Sequence, residues 1–255
     1  MRQPEDPQAL FVPFFESLDA IGFGEHNNPH HFDTGTLFWS LTRLFGCYER
    51  IMSVVHLPRD DRPFLEADLE NFIIRFRIVA NDIAYVIRQL LPAQARGLKG
   101  PKGQTHTNNR EMSVFLLAEH LTANATAYPD LSAAFADAVP WLTRLKNDRD
   151  NVIHYKSKVV IFESETPTFA LLDAAGTWRL EPSLNGLGLR VAKQPITTFV
   201  NEQMLVLHRF MHESLAVAVK DQATRAGLKM LQVGWDQRMS CPGVQRFREI
   251  NETAL

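Results

Sequence analysis

The stretch LEADLENFIIRFRIVANDIAYVIRQL, residues 65–90, decides the fold class. Leu65, Leu69, Phe72, Phe76, Val79, Ile83, Val86 and Leu90 recur at alternating spacings of four and three. That rhythm lays one apolar stripe along a long helix, which Pro92 then stops. Glu66, Asp68, Glu70, Arg75, Arg77, Asp82 and Arg88 punctuate the run. A membrane span would not carry so many charges, so the helix reads as one member of a bundle.

The same count works outward in both directions. Upstream, Leu37, Leu41, Leu44, Tyr48, Ile51 and Val55 form a stripe ending before Pro58, with Asp33 or Thr34 as candidate caps. Downstream, a third helix is predicted over about Met112 to Ala127. A fourth carries Leu131, Phe135, Ala138, Leu142 and Leu145. Pro140 lies inside the fourth and is expected to kink or split it. A last helix should run from about Thr197 to Arg225, with Val200, Met204, Leu207, Met211 and Leu215 inward and Gly227 as terminator.

Between the fourth and last helices the texture changes. Lys158–Glu163 and Thr168–Asp173 are short and rich in β-formers, and Thr177–Leu180 and Leu187–Ala192 suit further strands. Gly176, Gly186 and Gly188 stand at the breaks. The expected architecture is mainly α: an up-and-down helical bundle over residues 1–226, with a small antiparallel meander inserted at about 157–193. Residues 227–255 read as a polar tail holding a short helix or no fixed structure.

Bulk properties narrow the function. With 45% apolar residues among 255, a sizeable core is expected. The net charge of −2 gives no global pull toward nucleic acid, so RNA contact would need a local patch. Two distant cysteines, Cys47 and Cys241, build neither a disulfide scaffold nor a cysteine-rich zinc site. The opening MRQPEDPQ has no apolar core of a secretory leader, so a cytoplasmic location is expected, with no membrane anchor.

One residue breaks the pattern of the fourth helix. Continuing from Leu142 and Leu145, the count reaches Arg149 and Val152. A guanidinium at an apolar position needs a polar pocket or an interface around it. Lys146, Asn147, Asp148, Asp150 and Asn151 provide polar company. Asp150 and His154 are four apart, so a carboxylate could orient the imidazole and raise its pKa.

The segment Arg149-Asp150-Asn151-Val152-Ile153-His154 resembles the Arg-x(4–6)-His signature of the HEPN superfamily, in which a polar residue commonly follows the arginine. The resemblance implies a helical bundle with the motif near a helix end. It also implies, for catalytic members, metal-independent RNA cleavage by attack of a ribose 2′-OH on the adjacent phosphate, without a cofactor. Imidazole suits the acid/base work and guanidinium the phosphate. The expected catalytic set is Arg149, His154, Asp150 and Asn151. On an ideal helix, positions five apart point about 140° from each other. Convergence therefore asks for a helix end or for two motif helices meeting in a homodimer, the arrangement for which HEPN proteins are known. Some HEPN toxins carry a modifiable tyrosine, the target of a partner nucleotidyltransferase, at the place Lys156 occupies here, one residue after Tyr155. An antitoxin or nucleotidyltransferase partner and a role in toxin–antitoxin or phage-defence biology are further implications.

Other features carry weaker messages. The loop with Arg96, Lys99, Lys102, His106 and Arg110 reads plainly as a solvated connection. Its functional reading, together with Lys146 and Tyr155, is an RNA-contacting surface. His26, His30 and His31 lie in a Pro/Asn-rich loop, and His208 and His212 are four apart without the H-E-x-x-H pattern. No metal site is expected from either. A second spacing match, Arg50 to His56, lies on an ordinary amphipathic helix and reads as coincidence. Three readings stay open: a HEPN ribonuclease, a HEPN-like module that binds RNA, nucleotide or protein without cleaving, and an unrelated helical interaction protein whose Arg149 forms a structural ion pair.

Overall fold

A computed structural model of the chain describes residues 35–91, 113–154, 159–162, 164, 166–171, 177–178, 180–182, 189–225 and 241–253, with residues 7, 11, 14 and 15 ahead of them. Helix α1 spans Gly35–Val54 and α2 spans Leu65–Arg88. Helices α3 (Val114–Ala123) and α4 (Pro129–His154) follow. Then come β1 (Val159–Phe162), β2 (Thr168–Leu171), β3 (Leu180–Pro182), β4 (Leu189–Val191) and β5 (Gln194–Pro195). A last long helical run comprises α5 (Ile196–Arg209), a π-helical segment (Phe210–Leu215) and α6 (Ala216–Arg225), and α7 (Pro242–Asn251) completes the described chain. The protein is a mainly helical bundle with a small antiparallel β insertion between α4 and α5. No described helix is long and apolar enough to cross a membrane.

The stripes read from sequence are the core. Leu65, Leu69, Phe72, Phe76, Val79, Ile83 and Val86 of α2 are buried, as are Leu37, Leu41, Leu44, Tyr48, Ile51 and Val55 at α1. The two helices pack on each other, and the Arg50–Asp68 pair (2.8 Å) ties their outer edges. Arg62 turns the chain between them by donating to the Val55 carbonyl. Both residues of the Arg50–His56 spacing match are exposed, with Arg50 spent on Asp68 and Cys47. The candidate caps Asp33 and Thr34, and the terminators Pro92 and Gly227, lie outside the described residues.

Four expectations need correction. Helix α3 ends at Ala123 rather than Ala127, because the Asn124 amide donates to the His120 carbonyl (2.8 Å) and the chain turns there. Helix α4 is not split at Pro140. Burial of Phe135 and Ala138 before it and Leu142 and Leu145 after it offsets the one backbone hydrogen bond that proline removes. The last helix contains a π turn: its extra residue lets Phe210 face Phe135 and Trp141 of α4 while Met211 and Leu215 stay buried. The β insertion is two sheets rather than one meander. β3 pairs with β4, while β1–β2–β5 form a separate antiparallel sheet that β5 joins because its chain leads straight into buried Ile196, whose N–H donates to the Pro167 carbonyl (3.1 Å). The short helix of the tail is α7, which packs on α1 with Val244 and Phe247 fully buried.

Candidate anion site at the end of the motif helix

Helix α4 positions the motif by the burial of its own stripe. Leu142 and Leu145 face the core, and the next buried position is Asp148, 3% exposed. The expected apolar phase at Arg149 is therefore off by one residue: steps of three and four are both allowed, and the helix takes three. Arg149 lies beside the core edge, with 31% of its side chain exposed, within reach of solvent and ligands.

Arg149 Nη1 donates to Asp150 Oδ1 at 2.9 Å. Oδ1 of the carboxylate expected to orient His154 accepts from the preceding guanidinium. Both side chains are about a third exposed, 31% and 29%, and the long arginine side chain reaches across the helix surface to its neighbour. His154 is the last residue of α4. Its side chain and that of Asn151 lie outside the described residues, as do Tyr155 and the loop positions Arg96, Lys99, Lys102 and Arg110. His26, His30 and His31 lie outside them too.

A second guanidinium enters from α2. Arg77 shares the electrostatic environment of both members of the pair: Asp150 favours its charge and Arg149 opposes it. Burial dominates and pushes the Arg77 guanidinium down to about 10. Its plane lies 4.8 Å over the Phe115 ring of α3, and Lys146 Nζ of α4 sits 5.4 Å from the centre of the same ring. Arg77 Nη1 is buried and has no hydrogen-bond partner among the described residues. Arg77 of α2 and Lys146 of α4 thus flank the Phe115 ring of α3, and Arg77 also feels the charges of the Arg149–Asp150 pair.

Chemically this is a cluster of cations in which Arg77 Nη1 has no hydrogen-bond partner among the described residues. Leaving a buried donor unanswered costs about 1–3 kcal/mol, and an anion that accepts from it recovers that cost. Planar guanidinium groups match two oxygens at once, the geometry of a phosphate or carboxylate. Lys146, Asp148 and Arg149 are named by the sequence pattern of one helix, whereas Arg77 and Phe115 are not. Arg77 was visible only as one of the charges that rule out a membrane span. Its signal was two arginines, Arg75 and Arg77, flanking a core phenylalanine.

His208 and His212 stack with ring centres 4.9 Å apart. The other ring neighbours of His208 are Phe11 and Phe247, so this pair belongs to the α7 contact. Among the described residues no group of three potential metal ligands exists. No known protein family, curated protein or solved structure matches the chain.

Proposed function

We propose that the protein binds RNA through the Arg77–Lys146–Arg149 rim and cuts it as a metal-independent endoribonuclease of HEPN type. The observation that carries this reading is the buried, unanswered Nη1 of Arg77 beside Arg149. In the reaction a ribose 2′-OH loses its proton to an imidazole and attacks the adjacent phosphorus. The P–O5′ bond breaks, and the leaving oxygen takes a proton from an acid. Products are a 2′,3′-cyclic phosphate and a 5′-OH end. His154 supplies acid/base work, and Arg149, steadied by Asp150, holds the phosphate oxygens. A homodimer, with two motif helices at a two-fold axis, gives one cleft two histidines, and so a base and an acid. On this reading the enzyme works in the cytoplasm and is restrained by an antitoxin-type or nucleotidyltransferase partner.

The test is incubation of purified protein with RNA in the presence of a chelator, followed by analysis of the ends formed. Wild type yields cyclic phosphates, and His154→Ala loses about 10²- to 10⁴-fold in rate. RNA left intact by the wild type ends the nuclease reading. The Arg149–Asp150 contact favours a second reading, a non-catalytic module that binds RNA, nucleotide or a partner protein. Under it RNA is retained without being cut, and Arg149→Ala weakens retention while His154→Ala does not.

A further inference from the structure

The β insertion carries an aromatic cluster that the bundle does not use. In β1 the alternation of a strand sends Val159 and Ile161 toward the bundle, where Val159 is buried and Ile161 packs on the core. Phe162 therefore points to the outer face of the sheet. There its ring meets Trp178, with centres 6.0 Å apart and planes at 54°. Lys193 Nζ sits 3.7 Å over the Phe162 ring. Trp178 lies just ahead of β3 and Lys193 just after β4, so the two paired strands bring both to the Phe162 ring. Trp178 remains 37% exposed and Leu180, on the same side of β3, 52% exposed. Among the described residues Lys193 has no carboxylate partner.

Scattered exposed apolar residues need no explanation, but a tryptophan, a phenylalanine and an unpaired cation gathered on one outward face do. Their chemistry is that of a stacking platform: a flat ring accepts an unpaired base of any identity, and a neighbouring ammonium meets the backbone phosphate. Position along the chain adds to this. Val159 follows His154 by five residues, so the backbones are separated by at most about 18 Å. We infer that the Phe162–Trp178–Lys193 face stacks an unpaired nucleotide of single-stranded RNA that runs on from the phosphate held at Arg149. The inference rests on the RNA reading above and names its substrate class as single-stranded.

A 2′-O-methyl oligouridylate, which cannot be cleaved, provides the probe, with binding to the full-length protein followed by fluorescence anisotropy. Trp178→Ala weakens binding about tenfold, while Trp178→Phe keeps most of it. Trp178→Ala leaves unchanged the binding of an abasic ribose-phosphate oligomer, which Arg149→Ala weakens. The duplex of the same oligomer with oligoadenylate binds wild type and Trp178→Ala alike. If wild type binds the oligouridylate and Trp178→Ala stays within twofold of it, the platform is refuted while the anion site stands. Failure of the wild type to bind any of these probes overturns both.

Discussion

The seam between α1 and α7 and the last turns of α4 bury polar groups in opposite ways. At the seam, Asn201 and Asn251 donate to each other's carbonyl oxygens at 2.9 and 2.7 Å. Tyr48 donates to Asn201 (3.1 Å), and the Asn251 amide also reaches the Phe247 carbonyl (2.9 Å). Burial pushes the Tyr48 hydroxyl well above its usual range, so it stays neutral and serves as a donor. The rings of Phe45 and Tyr48 close on Phe247. At the end of α4, by contrast, a half-buried guanidinium keeps a donor unanswered beside a second guanidinium. The Asn201–Asn251 network specifies a packing; on the proposed reading the open donor of Arg77 is kept for a ligand. On that reading the first arrangement serves stability and the second binding.

Breaking the seam should cost most. A Cβ on Gly243 would stand 2.1 Å from the Phe45 carbonyl oxygen and 2.7 Å from its carbonyl carbon, both backbone atoms that yield only if α7 lifts. Gly243→Ala should therefore lose about 3 kcal/mol in urea unfolding, at the upper end of overpacking effects. A loss within error would mean that α7 is loosely held and that the contrast with α4 is false.

The opposite outcome is expected at the site. Arg77→Met removes a buried charge with an open donor, so stability in plain buffer should hold or rise. Inorganic phosphate should raise the wild-type Tm, by the equivalent of about 2.7 kcal/mol at a hundredfold excess over Kd, and should do little for the variant. Should Arg77→Met be as damaging as Gly243→Ala, Arg77 is a structural group and the anion site is gone.

The smallest effect concerns His120, on the helix that carries Phe115. Burial holds its imidazole below the ordinary 6.5, and its Nε2 is enclosed without a partner. The unfolded chain then binds the proton more readily than the folded one, so stability is complete above about pH 6.5 and falls as the solution is acidified through that value. His120→Asn should flatten this acid slope in a melting series from pH 7 to pH 5. An unchanged slope would assign the acid sensitivity to other groups.

Much of the bundle was legible because burial is periodic. Stripes at Leu65 to Val86 and Leu37 to Val55 need only the helical repeat and a core to face, and both are properties of the chain itself. The π turn at Phe210 was not legible, since its cause is the pair Phe135 and Trp141 on another helix. Nor was the second sheet, because β5 is two residues long and is held by a partner strand and by Ile196 beyond it. At the site, the motif count found Lys146, Arg149 and Asp150 because they lie on one helix. Arg77 and Phe115 come from two others.

The order of residues by itself determined the helical class, the place of the β insertion and the polar run at 146–151, since each depends on neighbours within a few turns. Tertiary packing alone decided that Asp148 rather than Arg149 faces inward, and that Arg77 is brought near the Arg149–Asp150 pair. The physical reason is that desolvation and charge proximity are set by whatever lies across the helix interface, and α2 and α4 meet only when the core has closed.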